Sequence, residues 1–260
     1  MIETMLTGSP SEVKWFKVFR NTLEAKLRLF CFPYAGAGAL IFLPWPEALP
    51  DEVEVITAQL PGHWNRLPEP PFARLLPLVE SLADAIDPYL DKPFAFFGHS
   101  MGAMIGFELA RQLRRSGRPL PRHLFVSGRR APQIRETEPP IYNLPDVELI
   151  GELRKLNGTP AEVLEDRELM ALVLPIIRAD LSICQTYIYR PEPPLDCPIT
   201  VFGGVSDEEC SETRLSAWAQ QTIATYRKEM FPGDHFFLHQ SQTALLRSLA
   251  YELHKLAATV

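Results

Sequence analysis

The chain is predicted to be an α/β protein built on a mostly parallel sheet. Three observations predict that class. Short apolar, β-branched or aromatic runs recur along the sequence, and longer segments of helical period lie between several of them. One run, Phe94-Ala95-Phe96-Phe97, is apolar at every position, as a strand covered by helices on both faces must be. The composition agrees: of 260 residues 46% are hydrophobic and 22% charged, a balance that excludes disorder and collagen-like order. Residues 1–260 are read as one domain, a length that a single large α/β unit can absorb.

Taken in order, the expected strands are 27–32, 53–57, 94–97, 123–127, 199–202 and 228–231. Helical period marks 75–90, 103–115 and 215–224. The 25 prolines, roughly twice the usual share, predict many short turns and helix ends. From 132 to 190 the alternation breaks, with no strand and two helical patches at 146–156 and 166–187, so this stretch is read as a helical lid inserted into the domain. Asn157-Gly158 reads as the C-cap of the first patch, and Thr159-Pro160 as the N-cap and first-turn proline of the next. Asn157-Gly158-Thr159 also spells a glycosylation sequon, but without a signal peptide the capping role takes the weight.

Several function classes are excluded. The longest apolar run, 169–177, is nine residues and contains Pro175, too short to span a membrane. The first twenty residues mix Glu3, Glu12, Lys14, Lys17 and Arg20 with Trp15 and Phe16, and are read as lacking a signal peptide. Cys31, Cys184, Cys197 and Cys210 form no Cys-x-x-Cys pair and have no histidine at a zinc-finger interval, so they are expected to be free thiols in a reducing cytosol. A net charge of −6 and a pI near 5.6 argue against a nucleic-acid partner.

The chemistry centres on Gly98-His99-Ser100-Met101-Gly102, which follows the all-apolar strand and opens a helix. In that setting Gly-x-Ser-x-Gly places the serine on a sharp, strained turn with its hydroxyl lifted clear of the sheet. Side chains two residues either side would collide there, and Gly98 and Gly102 remove them. A phosphate-binding turn would need Gly-x-Gly-x-x-Gly or a Lys-Ser/Thr end, and neither is present. Ser100 needs a base and an orienting carboxylate, expected downstream in the order serine, acid, histidine. His63 precedes the serine, His99 lies inside the turn, His123 begins a strand and His254 sits in the terminal helix, leaving His235 and His239. His235 follows the last strand on a loop at the carboxyl end of the sheet, where Ser100 also emerges, and is the better base. The four-residue spacing of His235 and His239 suits a metal, but Phe236 stands where such a site needs a glutamate, so no metal is assigned. Asp207, on the loop after the penultimate strand, is the expected acid. Glu208 and Glu209 are weaker candidates, and Asp234 is expected to cap the helix after it. The oxyanion donors are expected to be the N–H groups of Met101 and of Ala35, the latter in the Gly-rich loop 32–38.

At these residues the sequence resembles a known family. Cys31-Phe32-Pro33-Tyr34-Ala35-Gly36, Gln59-Leu60-Pro61-Gly62, Gly98-His99-Ser100-Met101-Gly102-Ala103, Ser127-Gly128-Arg129-Arg130-Ala131-Pro132, Gly204 with Asp207, and Gly233-Asp234-His235-Phe236-Phe237 are similar to type II thioesterases. These are the discrete editing enzymes of polyketide synthases and non-ribosomal peptide synthetases. The resemblance covers residues 12–255. It implies an α/β-hydrolase fold and hydrolysis of acyl or aminoacyl thioesters from the phosphopantetheine arm of carrier proteins, with no cofactor of the enzyme's own. It further implies a cytoplasmic enzyme, free of membrane and nucleic acid and expected to be a monomer, acting in trans under a helical lid. One departure stands out: the family often reads Pro-Gly-Arg where this chain has Pro61-Gly62-His63, and Arg66 is the nearest substitute. Two rivals share these features, a carboxylester hydrolase or product-releasing thioesterase with the same triad, and a hydrolase-fold binding protein without catalysis.

Two further expectations concern substrate and partner. Leu153, Leu156, Leu164, Leu169, Leu172, Val173, Ile176 and Ile177 carry more apolar surface than two short helices can bury between themselves, and are expected to roof an acyl chamber. Arg111, Arg114, Arg115, Arg118 and Arg122 are expected at the far end of the helix that starts at Ser100, whereas Arg129 and Arg130 return to the active-site end and are the candidates for docking a carrier protein.

Overall fold

The computed structural model describes residues 15–19, 22 and 24–259; most of the N-terminal segment read above for a signal peptide lies outside them. Seven strands, β1 Phe16–Val18, β2 Leu27–Phe32, β3 Val53–Ala58, β4 Phe94–His99, β5 Leu124–Ser127, β6 Ile199–Gly204 and β7 Tyr226–Phe231, form one sheet in the order β1-β3-β2-β4-β5-β6-β7. Every pairing is parallel except β1 with β3. The helices are α1 Trp45–Ala48, α2 Leu75–Ala85, α3 Met101–Arg115, α4 Asp146–Leu156, α5 Ala161–Glu165, α6 Arg167–Thr186, α7 Glu212–Ser216, α8 Phe237–Gln240 and α9 Gln242–Ala257.

The sheet is covered on both faces, and strand alternation divides its side chains between two cores. Phe94 and Phe96 of β4 join Phe30 and Phe32 of β2 and Leu124 and Val126 of β5 beneath α2 and α3. Ala95 and Phe97, one residue out of phase, join Leu29, Cys31, Val55 and Phe125 beneath α1 and α9. Four consecutive apolar residues are needed because both faces of this strand are interior. Edge-to-face contacts of Phe30 with Phe94 and Phe96, at 5.7 and 5.8 Å, fill the space between neighbouring strands.

All six expected strands form, some longer than expected. The edge strand β1 is not among the expected strands. The helix expected over 75–90 ends at Ala85 and gives way to a 3-10 turn over Asp87–Tyr89, with Pro88 in its first turn. The helix expected over 215–224 is instead α7 followed by a 3-10 segment, Ala217–Gln221. Helix α3 begins at Met101, directly after the serine.

Helices α4, α5 and α6 fall between β5 and β6, as the broken rhythm of 132–190 predicts. Asn157 closes α4 in the left-handed conformation, φ 57°. The cap expected at Thr159 falls instead at Pro160, with α5 opening at Ala161; Asp166 then caps α6 by accepting from the N–H groups of Glu168 and Leu169. Helix α6 is long and apolar enough to cross a membrane by length and composition. Several of its apolar side chains, however, face protein: Met170, Leu174 and Ile177 pack with Leu149, Leu153 and Leu164 in a third cluster, and Ile183 enters the core beneath α3, while Leu169 and Leu172 face outward.

Candidate active site

The parallel strands deliver four loops to one edge of the sheet: 33–38 after β2, Ser100 after β4, 205–210 after β6 and 232–236 after β7. Ser100 sits at φ 52° and ψ −112°, a conformation costly for any residue with a side chain, and its N–H donates to Ser127 O at 2.8 Å. The flanking glycines are required by close approach. A Cβ on Gly98 would lie 2.1 Å from Gly102 O, and a Cβ on Gly102 would lie 2.0 Å from Phe32 O. The elbow is therefore clamped between its own helix and β2.

The loops that carry Asp207 and His235 are laced together by Val205 N–H to Phe231 O and Ser206 N–H to Gly233 O, each 2.9 Å. This brings Asp207 Oδ2 to 2.8 Å from His235 Nδ1, while Asp207 Oδ1 accepts from the N–H groups of Glu209 and Cys210 at 3.0 Å. The carboxylate is thus held at both oxygens, and its side chain is only 1% exposed. Burial disfavours the His235 imidazolium, but the hydrogen bond and charge of Asp207, with the Cys210 thiol alongside, outweigh it and raise the pKa above the ordinary histidine value. Glu208 and Glu209 are exposed, and among the described residues no hydrogen bond or ion pair joins either side chain to His235. Asp234 is not the cap expected of it: the N-cap of α8 is Phe236, and Asp234, two residues earlier, accepts from the Phe236 N–H in the turn that leads into the helix.

Ser100 and His235 line the same cavity, of about 620 Å³, together with Tyr34, Ala35 and Phe236. Among the described residues no hydrogen bond joins Ser100 Oγ to His235, and such contacts commonly tighten only when substrate binds. The N–H groups of Met101 and Ala35 donate to no other group among the described residues, which leaves both available to an oxyanion. His99, fully buried beside His235 with ring centroids 5.2 Å apart, has its pKa driven well below the ordinary value by burial and by the neighbouring histidines, and so stays neutral.

Cys210 is a neighbour that the sequence does not single out. With Asp207 and His235 it forms the one trio of metal-ligand types among the described residues, all donor atoms within 4.8 Å. Two of the three donors already share a proton across the Nδ1–Oδ2 hydrogen bond. His239 is not part of it; its Nε2 meets Tyr34 OH at 3.0 Å.

The apolar wall is narrower than expected. Leu153, Leu156 and Ile177 line the cavity, joined by Ile141, Leu144 and Leu181. Leu164 and Val173 pack within the cluster above it, Ile176 is buried elsewhere, and Leu169 and Leu172 face outward, Leu172 being 55% exposed. The reason is helical phase: a stripe this broad cannot face one cavity.

The arginines divide as expected. Arg111, Arg114 and Arg115 pair with Glu192, and Arg118 with Asp84 and Asp87. Arg122 lies near Phe94 and Pro198, at the opposite end of the sheet. Arg129 and Arg130 both border the cavity, but Arg130 is 6% exposed and ion-paired with Glu136, an arrangement that serves the structure. Arg66 does not reach the site; it stacks over Trp15 and pairs with Glu69.

A family model described as a thioesterase domain matches residues 27–253. The gramicidin S biosynthesis protein GrsT of Aneurinibacillus migulanus is 47% identical over 245 residues, covering 94% of this chain and 96% of that protein. Among solved structures, the RedJ thioesterase of the prodiginine pathway in Streptomyces coelicolor is 41% identical with a TM-score of 0.84, over 89% of this chain and 92% of that one. The type II thioesterase BorB of the borrelidin cluster is 35% identical with a TM-score of 0.85, over 95% of this chain and all of that one.

Proposed function

The chain belongs to the thioesterase domain family, and from that premise we propose that it hydrolyses acyl or aminoacyl thioesters from the phosphopantetheine arm of carrier proteins, clearing stalled or misprimed polyketide or non-ribosomal peptide synthases. The observation that carries the chemistry is a strained Ser100 facing the same cavity as a histidine whose far nitrogen is held by a buried carboxylate. With Nδ1–H donated to Asp207, His235 Nε2 accepts the Ser100 proton as Oγ attacks the thioester carbonyl. Met101 and Ala35 N–H groups receive the oxyanion; collapse expels the pantetheine thiol, which takes the proton from His235. Water, deprotonated by His235, then attacks the acyl-serine and releases the carboxylic acid while Ser100 regains its proton. Serine, histidine, aspartate and water suffice, and no step requires a cofactor.

In this reading residues 132–190 act as a lid on one hydrolase unit, and the apolar wall of Leu153, Leu156 and Ile177 holds the acyl chain. Arg129, which lines the cavity and is half-buried, is the cation proposed to meet an acidic carrier protein. The setting is cytoplasmic, where such synthases load their carriers. The test is turnover of a panel of acyl and aminoacyl carrier-protein thioesters against an oxygen ester of the same acyl group and a cyclisable peptidyl thioester. Broad hydrolysis of carrier thioesters is expected; preferential ester cleavage, or cyclisation in place of hydrolysis, would reject the editing role.

A further inference from the structure

A buried polar network outside the triad joins three segments that the sequence keeps far apart. Asp180, on α6 and 1% exposed, accepts at Oδ2 from Gly36 N–H at 2.7 Å and from His63 Nε2 at 2.9 Å. The other ring nitrogen of His63 lies 3.0 Å from Pro61 O. A carbonyl only accepts and a carboxylate only accepts, so both His63 nitrogens must carry protons and the pair is an imidazolium and a carboxylate. In agreement, the His63 pKa lies above its ordinary value: burial opposes the charge, but Asp180 and the carbonyls of Pro61 and Leu60 outweigh it.

Gly36 is the third residue of the turn over 34–37, closed by Ala37 N–H donating to Tyr34 O at 3.0 Å. The second residue of that turn is Ala35, whose N–H is one of the two oxyanion donors proposed above. The Gly36 N–H points away from the turn's own bond, and Asp180 captures it, fixing the peptide plane one Cα from the donor. Helix α6 touches the turn directly as well, since a Cβ on Gly36 would lie 3.1 Å from Ile177 Cγ1.

We infer that Asp180, held by His63, is a positioning residue: it aims the Ala35 N–H at the developing oxyanion and couples that donor to the seating of α6 over the cavity. Helix α6 is the strut for this coupling, with Ile177 in the cluster above the cavity and Ile183 in the main core below. Lifting α6 would strip a buried carboxylate of both partners, so the seated helix and the aimed donor form one state. The departure from arginine at position 63 is thereby accommodated, because a protonated histidine supplies the cation that Asp180 faces.

This inference rests on the thioesterase reading. The experiment compares the wild type with Asp180→Asn and His63→Gln on an octanoyl N-acetylcysteamine thioester. Two inhibitors accompany it: an octyl trifluoromethyl ketone, which forms a tetrahedral oxyanion on Ser100, and an octyl thioether, which mimics only the ground state. Removing a whole oxyanion donor costs about 10²–10³ in kcat, so misaiming one is expected to cost about 10–10² with KM within about twofold. The ketone is expected to weaken by the factor lost in kcat/KM while thioether binding stays constant. Thermal melts identify folded variants; His63→Gln, which replaces the imidazolium with a neutral amide and so loosens the hold on Asp180, serves if Asp180→Asn does not fold. Unchanged kcat in a folded variant, or equal losses for ketone and thioether, would overturn the positioning role. A wild type that cleaves no thioester would reject the enzyme reading itself.

Discussion

Gly102→Ala probes the elbow at its tightest point. The new Cβ would lie 2.0 Å from Phe32 O and 2.8 Å from Pro33 O, whereas real Cβ atoms essentially never approach within 3.0 Å. Backbone must therefore shift by about 1 Å, since neither obstructing atom belongs to a flexible side chain. Either side of the clash carries a proposed oxyanion donor: Met101 N–H precedes the substituted residue, and Ala35 lies two residues beyond Pro33. A misplacement of about 1 Å costs about 10² in rate, and loss of one donor about 10²–10³, so kcat is expected to fall by about 10²–10³ with a smaller change in KM. Overpacking adds about 1–3 kcal/mol of destabilisation, a loss of about 2–4 °C in Tm for each kcal/mol in a protein of this size. The assay is steady-state hydrolysis of the octanoyl N-acetylcysteamine thioester with a parallel thermal melt. Gly151→Ala is the control, because a Cβ there meets nothing within 4 Å inside α4; it is expected to keep full activity and to stabilise by about 0.5–1 kcal/mol. Wild-type kcat and Tm in Gly102→Ala would refute the clamped elbow.

Asp207→Asn is expected to lower kcat by about 10⁴ by favouring the wrong histidine tautomer. It should also shift the acidic limb of the kcat/KM profile to lower pH. The His235 pKa is raised in the folded state, so its pairing with Asp207 stabilises the fold fully below the unfolded value and is lost as pH rises through the folded value; activity, which needs the neutral ring, appears over that same rise. A limb that does not move would assign the shift to another group. Enlarging the cavity wall by Leu153→Phe or Ile177→Phe should shift preference toward shorter acyl chains, read from kcat/KM across an acyl series, whereas the outward-facing Leu172→Phe should leave it unchanged. Arg129→Glu should raise KM for carrier-protein substrates and weaken its salt dependence while N-acetylcysteamine thioesters are cleaved as before; equal loss on both would place this arginine in the fold.

Residues whose neighbours in sequence are also their neighbours in space are legible without coordinates. The two-faced strand at 94–97, the serine turn and its glycines, and the order of acid and base loops all follow from local pattern and strand alternation. Strand β1 is not legible, because three residues carry no periodicity and it is held by antiparallel pairing with the distant β3. The facing of the apolar residues around α6 is legible only as an excess of apolar surface, since which of them meet the cavity depends on helical phase relative to α4. Arg130 illustrates the same limit: strand direction places it at the active-site end, but its pairing with Glu136 depends on the turn after β5. The His63–Asp180 contact spans 117 residues, and no motif signals it beyond the unexpected histidine after Pro61-Gly62.

In the proposed reaction Ser100 carries the acyl group between thioester and water. Rapid-quench mass spectrometry of the intact protein mixed with an octanoyl carrier protein, followed by peptide mapping, would capture that intermediate. A transient octanoyl adduct is expected on the peptide containing Ser100, formed no more slowly than turnover and absent from a folded Ser100→Ala protein that no longer hydrolyses the thioester. An adduct on another residue, or undiminished hydrolysis by Ser100→Ala, would contradict it.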